Sequence, residues 1–210
     1  MSTYLSEIAR RDNRVVRVGD FRVKDAGPEL RRLAAAGALL RLATGYYALV
    51  PEAYRGPASG WRPTVEAAAL GIATADYGTD RVALLGPSAA RLHGCYPRAL
   101  SAAVVAVPNQ RPRKPTVAGS VKFVVRDVSK LDLVRASTEL TPGWMTSVEQ
   151  TLLDLSGDWP RWLVTESARE EMIRLLALRA SPEILEEVAA ASRGRAALER
   201  VRRILDDLRR

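Results

Sequence analysis

PELRRLAAAGALLRLATGYYALVP, residues 28–51, contains the change of period that decides how the first quarter of the chain folds. Leu30, Leu33 and Ala34 recur at helical spacing, Leu39 extends the series, and Arg31 and Arg32 lie off the apolar stripe. Pro28 suits a first helical turn and Gly37 a helix stop. The period then becomes two. Leu40, Leu42, Tyr47 and Leu49 predict two short strands joined at Thr44-Gly45, where the turn needs a residue tolerant of positive φ. A short helix bearing paired arginines and running into a β-hairpin is how a winged helix-turn-helix ends. Its helix fits the major groove of DNA and its hairpin reaches a neighbouring groove or the backbone. DNA binding is the leading expectation.

The residues upstream agree. Residues 2–11 predict a first helix, with Ser2 as N-cap and Leu5, Ile8 and Ala9 on one face. Val15, Val16 and Val18 predict a short strand. Gly19-Asp20 then caps a brief second helix over 21–26, with Phe21 and Val23 turned to the core, and Gly27-Pro28 breaks the chain before the third helix. In this frame Arg31 and Arg32 are candidates for groove contacts. Arg22 and Lys24 on the second helix, with Arg41 and Thr44 on the wing, are candidates for holding phosphates. Up to Arg55 ten basic residues face six acidic ones, which is half of the net charge of +8. RGPASGWRP, residues 55–63, is a Gly/Pro/Ser cluster and places a boundary between a winged-helix domain at 1–56 and a second domain at 57–210.

Composition bounds the rest. A chain of 210 residues that is 47% hydrophobic can bury a substantial core and is not a disordered segment. Twenty-eight of its 32 basic residues are arginine, which suits bidentate contacts to phosphate and guanine. The charge is spread along the chain, so by itself it is weak support for a polyanionic partner. Cys95 is the one cysteine, which excludes an internal disulfide and a multi-cysteine zinc site. No basic-then-apolar leader and no apolar run of ~20 residues is visible, so a cytoplasmic, soluble protein without membrane association is expected.

Beyond residue 63 the pattern is α+β. Thr64 can cap a helix to about residue 75, where Ala67, Leu70, Gly71 and Thr74 allow close packing. Residues 82–85 predict a short buried strand, 87–94 a helix stopped by Gly94, 102–107 and 121–125 two strands, and 127–135 a third strand or turns. NQRPRKPT, residues 109–116, reads as a solvated polar loop. Its Arg111, Arg113 and Lys114 are a second possible contact to DNA or to an acidic partner. The sheet is thus expected within 80–135 and a helical part over 147–210, with amphipathic helices at 166–179, 182–191 and 196–208.

No catalytic constellation emerges. His93 and Cys95 are too close in sequence to align as base and nucleophile, and they read as a helix end filling a small apolar space. Glu149 and Asp154 project in different directions on a helix, Glu149 to cap or pair locally and Asp154 to bond backbone. Trp144 reads as packing, while Trp159 and Trp162 beside Arg161 are the better candidates for a protein interface. No acid stands two residues before any lysine, as metal-dependent nucleases require, and no phosphate-binding Gly-rich loop or two-histidine metal spacing appears. Neither enzyme activity, metal nor cofactor is expected. The competing readings are a one-component transcription regulator with a ligand-binding C-terminal domain and, behind it, a DNA-processing enzyme.

Three segments in order along the chain give a resemblance. They are the hairpin AGALLRLATGYYAL, the strand-then-helix LLGPSAARLHG, and MTSVEQTLLDLS at the opening of the helical part. Together they resemble the AbiEi antitoxins of type IV, abortive-infection toxin–antitoxin systems. Gln150 and Val148 stand where an Arg and a Pro are commoner in that family. The resemblance implies a winged helix that binds inverted repeats in operator DNA and represses its own operon. It also implies a C-terminal part that neutralises a cognate nucleotidyltransferase-like toxin.

Overall fold

The computed structural model describes residues 3–21, 26–157, 162–192 and 194–208. The N-terminal unit begins with helix α1 (Thr3–Arg10), strand β1 (Val15–Arg17) and a 3-10 turn (Val18–Asp20). Helix α2 (Ala26–Ala35) and the hairpin β2 (Leu39–Ala43) and β3 (Tyr46–Leu49) follow. The strands form an antiparallel sheet in the order β1-β3-β2. Ile8, Val16, Phe21, Leu30, Leu33, Leu39, Tyr47 and Leu49 make a core between one face of this sheet and the helices.

Three details depart from expectation. Val18 leaves the strand and opens the 3-10 turn, which the Arg17–Asp20 ion pair closes. The expected second helix over 21–26 does not begin at Phe21, which is a bend, and its residues 22–25 lie outside the described residues. Ala26 already belongs to α2, so Gly27-Pro28 sits inside the first turn of that helix instead of separating two helices. Proline is tolerated there because first-turn N–H groups have no intrahelical acceptor.

Four consecutive buried residues in β3 show that this sheet is covered on both sides. Val15, Leu42, Ala43, Tyr46 and Ala48 join a second, larger core. Helix α3 (Val65–Tyr77), capped by Thr64 as expected, packs on that side. A Cβ on Gly71 of α3 would lie 2.5 Å from the Val15 side chain, so glycine there lets strand and helix touch. Polar links reinforce the junction. Asn13 donates to the Gly71 carbonyl at 3.0 Å, Arg14 N–H to Leu140 at 2.8 Å, and Val117 N–H to Leu42 at 3.0 Å. Asp76, near the end of α3, accepts from Tyr46 Oη at 2.9 Å, from Arg17 at 3.1 Å and from Arg111. The boundary at residue 56 is a covalent joint between packed parts.

The second sheet has six strands in the order β6-β7-β5-β4-β9-β8. These are β4 (Ala83–Leu84), β5 (Ala102–Val107), β6 (Lys114–Thr116), β7 (Gly119–Val125), β8 (Leu133–Ser137) and β9 (Pro142–Thr146). The sheet therefore runs to Thr146, beyond the expected limit at 135. The stretch read as a loop at 109–116 ends in an edge strand, where Pro115 is tolerated because an edge can spare a donor. Helix α4 (Pro87–Leu92) lies between β4 and β5, and Ser88 Oγ accepts from Val104 N–H at 2.8 Å beside the very short β4.

Helices α5 (Val148–Ser156), α6 (Glu166–Ala177), α7 (Pro182–Ala191) and α8 (Arg195–Leu208) build the helical part, as the sequence predicts. The chain is thus α+β, a small sheet followed by a helical C-terminal part. No helix among the described residues is long and apolar enough to cross a membrane.

Two substitutions probe this packing. Gly45, at φ +83° with open space around it, closes the hairpin, and Gly45→Ala should cost about 1–2 kcal/mol from the left-handed backbone alone. Gly37, at φ +70°, would place a Cβ 1.9 Å from the Gly56 carbonyl oxygen, so Gly37→Ala should cost distinctly more in urea denaturation. Equal losses would mean that residue 56 is not packed on the hairpin. Asp76→Ala should cost about 1.5–3 kcal/mol, towards the lower end because Arg17 is 40% exposed. An unchanged denaturation midpoint would remove Asp76 as a tie between the two parts.

Candidate nucleic-acid interface

Helix α2 buries Ala26, Leu30 and Leu33 and turns Arg31 and Arg32 outward. The two arginines fall in its second half and not near its start. No partner is shown for Arg31 among the described residues. Arg32 makes a fork-like pair with Glu29, both contacts at 2.8 Å, while 65% of its side chain stays exposed. Solvent screens an exposed pair of this kind, so a phosphate can displace Glu29 at little cost.

Arg41 and Thr44 are also exposed. Arg41 lies opposite Tyr47 in the hairpin, and directly paired residues project to the same face of a sheet. Tyr47 belongs to the core under the helices, so Arg41 leaves the sheet on the side of α2. A bulge between Arg41 and Ala43 then turns Leu42 and Ala43 to the opposite core. The fold thus puts Arg41 on the helix side of the sheet and the hydrophobic back of the hairpin against α3. Arg22 and Lys24 lie outside the described residues.

The other basic candidates are committed elsewhere. Arg111 pairs with Asp76 and stacks near Phe123, 5.3 Å from its ring centre. Arg113 donates to Ser120 Oγ at 2.8 and 2.5 Å, and the Lys114 ammonium lies 5.0 Å over the ring of Tyr46. This segment is a strut between hairpin and second sheet, not a freely solvated loop.

Interior candidates resolve into structure. His93 Nε2 donates to the Thr146 carbonyl at 2.8 Å, which fixes the proton on Nε2, and Arg179 donates to the His93 carbonyl. Cys95 is buried, and burial pushes its thiol above the usual range, away from a reactive thiolate. Glu149 accepts from Ser181 N–H at 2.9 Å, just ahead of α7. Asp154 bonds side chains and not the expected backbone: Arg126 at 2.6 Å and Gln150 at 3.1 Å. Burial nevertheless drives its carboxyl pKa upward, with Arg126 opposing.

Trp144 stacks with Arg135 at 3.9 Å. Trp162 is buried against Gly86, whose absent Cβ leaves room for the ring, so it is not an exposed interface residue. Trp159 and Arg161 lie outside the described residues. Among the described residues no group of three His, Cys, Asp or Glu side chains is placed to hold a metal ion.

Asp76, Tyr46 and Arg126 went unremarked in the sequence because each acts across more than 25 residues. The one local hint that both faces of β3 are covered is its unbroken run of large and apolar residues, Tyr46-Tyr47-Ala48-Leu49. No protein-family model matches this chain, and no curated protein is significantly similar to it.

Proposed function

We propose that residues 1–56 act as a winged-helix DNA-binding unit, and that the protein is an AbiEi-type antitoxin which represses its own operon. The observation that carries the DNA reading is the exposure of Arg31 and Arg32 on α2, with Arg41 on the same side of the hairpin sheet. Arg31 and Arg32 enter the major groove and supply base contacts of about 1–3 kcal/mol each where they pair with guanine. Arg41 and Thr44 hold the backbone from the wing and set the salt dependence. The hairpin is braced from behind by Leu42, Tyr46 and Val117, so it meets DNA without first being ordered, which lowers the entropic cost of binding.

Neutralisation of a nucleotidyltransferase-like toxin by the C-terminal part rests on the three matching segments. Two of them converge in space, through the pairing of Leu84 with Met145 and the His93–Thr146 hydrogen bond at 2.8 Å. They build the scaffold of the C-terminal part, and its outer helices offer the surface for a partner.

The first experiment is a titration of the duplex immediately upstream of the gene, against a scrambled duplex, at two salt concentrations. Selective binding that weakens with salt supports the repressor reading; equal weak binding to both duplexes sinks it. Arg31→Glu with Arg32→Glu should abolish selective binding while leaving the thermal midpoint close to that of wild type, since both side chains are exposed. Unchanged affinity in this variant would remove α2 as the reading helix.

A further inference from the structure

Glu29 stands in the first turn of α2, three residues before Arg32. At that spacing the two side chains are neighbours on one face of the helix. The carboxylate takes one edge of the guanidinium: Oε2 accepts from Nε and Oε1 from Nη2, both at 2.8 Å. Glu29 is the better anchored partner, with 23% of its side chain exposed, and the positive end of the helix favours a carboxylate in the first turn. A bond to Nε fixes the plane of the guanidinium as well as its position. Nη1 and the second proton of Nη2 then form the terminal edge, which has no protein partner among the described residues.

That edge offers two parallel N–H groups to a pair of adjacent acceptors. On DNA these are two oxygens of one phosphate, or O6 and N7 of guanine in the major groove. Glu29 separates the two cases. A phosphate is an anion and meets a carboxylate on the same guanidinium, so it binds Arg32 only against repulsion or after displacing Glu29. The edge of guanine is neutral and leaves the brace in place. The fork is also ordered before contact, so pairing with guanine does not have to bear the cost of immobilising a long side chain.

We propose that Glu29 is a positioning residue which makes Arg32 a reader of guanine and disfavours its use on the DNA backbone. The inference rests on the reading of α2 as the DNA-binding helix. Removing Glu29 then has two effects. Binding to unrelated DNA tightens, because Arg32 is released to the nearest phosphate. Discrimination falls, because the guanidinium is no longer held in the orientation that guanine requires. A carboxylate acting only as one charge of the protein would, on removal, raise the affinity for every duplex by the same factor.

The test is titration of the full chain and its variants with the duplex upstream of the gene and with its scrambled counterpart. Glu29→Ala, checked for native melting, should bind the scrambled duplex more tightly and lose about tenfold in the ratio of the two affinities, the scale of one bidentate base contact. Glu29→Gln should shift both in the same direction. With Arg32→Ala already present, Glu29→Ala should leave the ratio unmoved. Guanines of the upstream duplex are then replaced one at a time by 7-deazaguanine, which lacks the N7 acceptor. At least one replacement should weaken the wild-type chain about tenfold and leave Arg32→Ala little changed. A selective wild-type chain whose ratio survives both Glu29 variants overturns this inference alone. So does a set of replacements that affects wild type and Arg32→Ala alike. A wild-type chain without selectivity overturns the DNA reading and this inference together.

Discussion

The carboxylate of Asp76 gathers three side chains from three separate stretches of the chain: Arg17 of β1, Tyr46 of the hairpin, and Arg111 from the segment leading to β6. Hydrophobic burial drives the hairpin sheet onto α3, but burial is non-directional and would tolerate sliding of one surface over the other. A carboxylate only 7% exposed must be satisfied where it stands, and its partners set the angle at which sheet meets helix. The position of the hairpin, the direction of Arg41 and the bracing by Val117 all follow from that angle. Arg31, Arg32 and Arg41 stay outside this network.

The second organising element is α5. From Glu149 to Ser156 every residue is buried, and α4, α6, α7 and α8 pack around it. Such a position suits an apolar helix, yet five of those eight buried residues are polar. Four groups of the helix meet different neighbours: Glu149 the start of α7, Thr151 the end of β9, Asp154 the residue following β7, and the Ser156 carbonyl a side chain of α8. Directional bonds from one helix thereby fix the register of everything around it. The same helix leaves Gln150 Oε1 and Asp154 Oδ2 without a hydrogen-bond partner among the described residues.

Much of this architecture was legible in the residues. The switch from helical to two-residue period after Leu39, the Thr44-Gly45 turn, the Thr64 cap, the Gly94 stop and all four C-terminal helices follow from local rules. Those rules failed where tertiary contact overrides them. Lys114-Pro115-Thr116 has poor strand character, yet β7 offers it an edge. Pro142 and Gly143 hide β9, whose pairing comes from β4 and β8 on either side. Val18 has strand propensity, but the Arg17–Asp20 pair bends the backbone out of the ladder. Arg31, Arg32, Arg41 and Thr44 were identifiable as exposed polar positions from periodicity alone. That Arg41 faces the side of α2 depends on its pairing with Tyr47, which no local pattern reveals.

By itself the sequence determined the elements and their order, because caps, turns and hydrophobic periods act over a few residues and need no distant partner. Only the tertiary structure decided that the N-terminal unit is fastened to the rest of the chain, that Arg111 is a tie and Trp162 a packing residue, and that Asp154 is held by both Gln150 and Arg126. Each of these depends on groups separated by many residues meeting in one low-dielectric place. There, pairing or the lack of it sets what a side chain does.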